Sequence, residues 1–178
     1  MVFNDAVKVF TDVTIKAASE LSFMQTIDAD VADAHQLKLD GGRTAAISVQ
    51  GALGGTRALQ ALQVVNSEMT TFTGSVTTKD SVTLTDTQIG IAFNGGLSTQ
   101  TLNVGGQAFN LVLRDQVSVA TATTFANTGE LTFGVVESDH LAFAGGVTAT
   151  APSAIFMAGL LSSDNTPITL GLSLIHIS

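Results

Sequence analysis

The sequence predicts an all-β chain wound into a parallel β-solenoid of about eight short coils. Three observations predict it. Apolar residues recur at i and i+2 with a small or polar residue between them, the period of a strand whose side chains alternate between two faces. From Leu37 onward most of these pairs start about ten residues apart, with turn-forming residues in the gaps. The units also share residue types at matched positions: Phe72, Phe93 and Phe143 are each followed by Thr, Asn or Ala and then Gly. Stacked coils place like residues over like. An antiparallel β-sandwich, the alternative for short strands at this spacing, has no such need.

In chain order the strand pairs are Val7/Val9, Val13/Ile15, Leu21/Phe23, Leu37/Leu39, Ile47/Val49, Leu62/Val64, Val82/Leu84, Ile91/Phe93, Leu102/Val104, Leu111/Leu113, Val117/Val119, Leu131/Phe133, Leu141/Phe143 and Ile168/Leu170, with a looser case over 71–76. Many end in a Gly pair: LDGG at 39–42, GALGG at 51–55, FNGG at 93–96, NVGG at 103–106 and FAGG at 143–146. Glycine enters the left-handed region without steric cost, and the neighbouring Asn and Asp tolerate it, so these are corners. The stretch 91–106 is the unit the chain repeats with variations, and 141–160 reads as its close relative. Two stretches break the pattern. ADVADA at 29–34 fits a helical turn or a loop leaving the coil. TRALQALQV at 56–64 has a short helical spacing at Leu59 and Leu62, but the repeats point to a turn leading into a strand at 62–65. At about 4.8 Å per coil, the stack is roughly 40 Å long.

Composition narrows the function. Of 178 residues, 45% are apolar and only 12% charged. Thr, Ser, Asn and Gln therefore carry the water-facing positions, which suits strands rather than long solvated helices. The net charge is −8, and the seven basic residues (Lys8, Lys16, Lys38, Arg43, Arg57, Lys79 and Arg114) stand singly, so no nucleic-acid-tracking surface is expected. There are no cysteines, which removes disulfides, thiolate metal sites and thiol nucleophiles. No apolar run reaches the roughly 18 residues of a spanning helix, so no membrane insertion is expected. The tail LSLIHIS at 172–178 resembles a translated sequencing adapter. The expected organisation is a solenoid segment over 1–171 followed by a non-native tail over 172–178, with any export signal outside this chain.

The succession FNDAVKVFTDVTIKA, ADVADAHQLKLDGG, GALGGTRALQALQVV and FANTGELTFG, then LAFAGGVTATAPSAIFMAGLL and ITLG, resembles the repeat units of very large bacterial surface proteins. These are the filamentous-haemagglutinin-like and autotransporter-like adhesins. The resemblance covers 2–171. It implies a right-handed parallel β-helix, secretion to the bacterial cell surface, and a stalk or adhesive role without catalysis. It carries over no site residues. The implied partners are host or neighbouring-cell surface molecules or polysaccharide, with end-to-end self-association as a further possibility. The family's secretion domain and membrane barrel are not in this sequence. The alternative reading is a carbohydrate-binding or carbohydrate-cleaving module on the same scaffold, which a groove holding paired carboxylates from neighbouring coils would favour.

Several side chains have the right chemistry for sites. Asp28, Asp30 and Asp33 offer oxygens of the kind Ca²⁺ takes, but no calcium-loop spacing accompanies them, so a solvated loop is expected. Glu137, Asp139 and His140 are metal-ligand types in close sequence, yet on a strand at most Glu137 and Asp139 share a face. His35 is placed in a turn as a hydrogen-bonding surface residue. The threonines Thr83, Thr85, Thr87, Thr121 and Thr123 offer a hydroxyl array of the kind that orders ice, or simply water-facing strand positions. No catalytic residue, metal or cofactor is expected. All ten phenylalanines, Phe3, Phe10, Phe23, Phe72, Phe93, Phe109, Phe125, Phe133, Phe143 and Phe156, are expected inside the coils as a ladder.

Overall fold

The computed structural model describes residues 1–171 and the backbone of Ile175–Ile177. The rest of the 172–178 tail lies outside the described residues. Every strand pairing is parallel, and no helix occurs among the described residues, so none is long and apolar enough to cross a membrane. The chain is a β-solenoid of about eight coils, each passing over three faces.

The first face carries Val2–Phe3, Glu20–Phe23, Ala46–Val49, Met69–Phe72, Gly90–Phe93, Asn110–Leu113, Glu130–Phe133, Ala154–Met157 and Ile175–Ile177, one above the other. Coils are counted from these strands. The second face is built by Val7–Val9, Ile27–Ala29, a single bridge at Leu53, the first half of Val76–Leu84, Leu97–Thr99, Gln116–Val119, His140–Phe143 and Leu160–Ser162. The third carries Val13–Lys16, Ala34–Asp40, Leu59–Asn66, the second half of Val76–Leu84, Thr101–Val104, Thr123–Thr124, Val147–Ala149 and Ile168–Leu170.

Because the register is parallel and unshifted over most rungs, inward residues form vertical columns. On the first face one column runs Phe3, Phe23, Val49, Phe72, Phe93, Leu113, Phe133 and Met157. Beside it stand Leu21, Ile47, Thr70, Ile91, Leu111, Leu131 and Ile155. On the second face Val7, Ile27, Leu53, Val76, Leu97, Val117, Leu141 and Leu161 align. These columns are the continuous core. Burying one such ring stabilises by about 1.5–3 kcal/mol. Phe3 stacks on Phe23 with ring centroids 4.8 Å apart, and Phe72 on Phe93 at the same distance. Phe125, Phe133 and Phe143 meet edge-on instead, because they reach the core from different faces.

Two phenylalanines depart from the expected interior ladder. Phe10 is 67% exposed, since Val7 and Val9 take the inward positions and the chain turns directly after them. Phe156 lies between Ile155 and Met157, so strand alternation turns it outward, in register with Thr132. A third difference concerns the repeat itself. Phe93 sits on the first face, whereas Phe143 pairs with Val119 on the second. The two Phe-x-Gly-Gly corners are locally alike, with φ of +89° at both Gly96 and Gly146, yet they turn different edges of the prism.

The close approach of backbones explains the glycine of Phe-x-Gly. A Cβ on Gly74 would stand 2.5 Å from the Gly51 carbonyl carbon, and one on Gly95 would stand 2.7 Å from that of Gly74. Glycine thus stacks on glycine where no side chain fits. Of the two irregular stretches, 30–33 is a turn leaving the coil, and the helical spacing at Leu59 is overridden: Leu59–Asn66 is a strand, three residues longer at its start than the repeats suggest.

The aromatic column gives a direct test. Phe93→Ala is expected to cost about 3–5 kcal/mol in denaturant unfolding, while Phe10→Ser leaves the midpoint within about 0.5 kcal/mol. Equal effects would contradict the assignment of inside and outside.

Candidate functional site

The charged residues singled out in the sequence gather at two corners. The first lies where coils two to four turn from the second face to the third. Here the chain makes a hook, with Asp33 and His35 both in the left-handed region at φ of +63° and +64°. His35 is not in a turn as its sequence context suggested. It is the second residue of Ala34–Asp40, and its Nε2 lies 2.8 Å from Asp30 Oδ1. The same Asp30 oxygen accepts from Val31 N, and the Arg57 guanidinium donates to the Asp30 carbonyl.

Each aspartate of the acidic run is engaged separately. Asp28 Oδ1 accepts from the backbone N–H groups of Thr56 and Arg57 at 2.9 and 3.0 Å. Asp33 Oδ2 pairs with Lys79 Nζ at 3.1 Å. The carboxylates of Asp28, Asp30 and Asp33 therefore face three different partners, and among the described residues no three His, Asp or Glu side chains come together as a metal would require. What the sequence offered as ligands, the fold uses to fasten one coil to the next.

The second corner is 134–139, between the first and second faces of the seventh coil. Glu137 and His140 are exposed, but Asp139 is buried. The three are not on one strand: a turn separates Glu137 from His140, which opens the strand His140–Phe143. Asp139 Oδ2 accepts from Val135 N at 2.7 Å and Val136 N at 3.3 Å, and Oδ1 accepts from Asp115 N at 3.0 Å in the coil below. Its carbonyl accepts from Leu160 N in the coil above. Burial, the largest single influence, raises the carboxyl's pKa. The three backbone N–H groups and the Arg114 charge together outweigh it, so the net direction is downward. A carboxylate held this way caps the corner and joins the sixth and seventh coils, while the residue's backbone carbonyl holds the eighth.

Interior hydroxyls and amides were not anticipated as a class. Thr78 Oγ1 donates to Thr99 Oγ1 at 2.8 Å, Ser67 and Thr70 hydroxyls meet at 2.9 Å, and Thr87 donates to the Glu68 carbonyl. Asn127 Nδ2 donates to the Phe109 carbonyl, while its Oδ1 is buried without a partner. Of the threonine rows, Thr87 and Thr123 are buried, so the five residues do not make one flat exposed array. The only signal in the sequence was a polar residue standing three before a strand's first or second residue, as at Ser67, Thr87 and Asn127.

An apolar cleft of about 280 Å³ opens at the first coil, lined mainly by Val7, Val9, Phe10, Val13, Ile15 and Leu37. It holds no convergent polar groups. Compared with family models, with curated proteins and with solved structures, the chain matches none significantly.

Asp139 carries a pH prediction. Its pKa is lower in the folded protein than in the unfolded chain, so its contribution is fully present above the ordinary carboxylate range. That contribution disappears as pH falls through the lowered folded value. Asp139→Asn is expected to lose about 1–3 kcal/mol at neutral pH and to narrow that gap in acid. Parallel acid-unfolding curves for the two proteins would show that the carboxylate charge is not what caps the corner.

Proposed function

We propose that this chain is a segment of a secreted bacterial surface protein of the filamentous-haemagglutinin-like or autotransporter-like kind, serving as a stiff stalk and contact surface without catalysis. The observation that carries the reading is the stack: strands on three faces follow one another in parallel along the described chain, the third-face ladder breaking only between Thr101–Val104 and Thr123–Thr124, and the outward side chains are mostly short and uncharged. On the second face, for example, Thr77, Ser98, Ser118, Ala142 and Ser162 succeed one another outward, one per coil. A solenoid resists bending because each coil is bonded to its neighbours on all sides. Repeated small polar side chains give a broad, shallow surface, suited to many weak contacts rather than to enclosing one small molecule. Asp28, Asp33 and Asp139 use their charge to join coils.

The sequence resemblance supports the same reading, and with it the partners: surface molecules of a host or neighbouring cell, or polysaccharide, and copies of the rod itself. The test is to immobilise the purified protein and present whole cells and a panel of polysaccharides. Retention that grows with the number of copies on the support, with the glycans recovered at their original length, is the expected result. Release of shortened oligosaccharides would move the protein to the carbohydrate-cleaving reading.

A further inference from the structure

The eight coils are not equivalent, and we propose that coils two to four open and close as one block while coils five to eight open one at a time toward the C-terminal end. Two independent features set the block apart. The first is strand length. Ala34–Asp40, Leu59–Asn66 and Val76–Leu84 contain 7, 8 and 9 residues and are already in register at the corner between the second and third faces, through Ala34, Leu59 and Thr78, with a bulge between Thr78 and Ser81. Every other strand has four residues or fewer, so its ladder is interrupted at that corner. The three long strands lie on consecutive coils and pair with each other.

The second feature is contact that skips a coil. In a solenoid each coil touches its immediate neighbours, and stability is close to a sum of single-coil and neighbour terms. Lys79 of coil four instead reaches past coil three to Asp33 of coil two, at 3.1 Å. At another corner Arg43, which follows coil two, lies 3.8 Å from Asp86, which follows coil four. With the Gln88 amide oriented to satisfy both its atoms, its oxygen also accepts from Arg43 Nε and Nη2. Within the block, Asp28 caps Thr56 and Arg57, and Gln60 donates to Asp80, so adjacent coils are tied as well.

The Lys and Arg ion pairs found among the described residues all fall between Lys16 and Asp86. Six of the seven basic residues precede Asp86, leaving Arg114 alone in the second half.

A strong neighbour term relative to the single-coil term makes adjacent coils open together. A contact that skips a coil makes it unfavourable to release the middle one alone. Coils five to eight have no such bridges among the described residues, and Thr101–Val104 and Thr123–Thr124 do not pair on the third face, so their opening is stepwise. The proposal concerns the stack itself and holds whether or not the rod is a surface stalk.

Native-state hydrogen exchange read by mass spectrometry, at rising denaturant below the unfolding transition, tests it on the intact chain. The expected result is one shared opening constant and denaturant slope for peptides covering 34–40, 59–66 and 76–84. Peptides covering 110–113, 130–133 and 154–157 should instead show progressively easier opening. Lys79→Gln combined with Arg43→Gln should raise opening in coils two to four by about two- to fivefold, the scale of exposed ion pairs, and leave coils six to eight unchanged. Should that variant fold poorly, about 1 M salt on the unaltered protein screens the same pairs. A graded series across coils two, three and four, or a salt effect spread evenly over all eight coils, would overturn the proposal.

Discussion

Every strand in this molecule depends on backbone hydrogen bonds to the coil above and the coil below. A solenoid strand of three or four residues has no ladder of its own. Its N–H and C=O groups are paired only if the next turn of chain lies parallel to it at about 4.8 Å and in the same register. Once that condition holds, side chains at matched positions must stand over one another, and the columns of Phe, Leu, Ile and Val follow. So does the need for glycine at Gly51, Gly74 and Gly95, where backbone lies on backbone with no room for a Cβ.

The same constraint explains the polar interior. A coil that leaves its register at a corner exposes carbonyl and amide groups to the core, and short polar side chains meet them: Thr87 at the Glu68 carbonyl, Asn127 at the Phe109 carbonyl, Asp139 at three backbone amides. Charge in this protein is therefore chiefly structural. Asp28, Asp33 and Asp139 look like ligands when read along the chain, and act as fasteners between coils when read across it.

Much of the fold was legible because period two survives in the sequence wherever both inward residues of a strand are large. Leu21/Phe23, Ile47/Val49, Leu111/Leu113 and Leu131/Phe133 are all strands of the first face, as read. Strands whose second inward residue is small or hydroxylated escaped notice: Ile27–Ala29, Leu97–Thr99 and Val147–Ala149 put Ala29, Thr99 and Ala149 inside. The assignment of like to like failed where one corner motif served two edges, so 141–160 is offset by a face from 91–106. The outward direction of Phe10 and Phe156 could not be read from hydrophobicity, which carries no direction; their neighbours' alternation does. The capping role of Asp139 was hidden because its partners, Asp115, Val135 and Val136, contribute backbone atoms rather than recognisable side chains.

The most direct test of in-register parallel stacking is a distance ladder on the second face. The chain has no cysteine, so spin labels placed at introduced cysteines report without background. Thr77, Ser98, Ser118, Ala142 and Ser162 are successive outward partners. Measured by electron paramagnetic resonance, the 77–118 pair should lie about 10 Å apart and the 77–162 pair about 19 Å, each added coil contributing about 4.8 Å. Distances that fail to grow with each coil, as in two facing layers of antiparallel strands, would contradict the account.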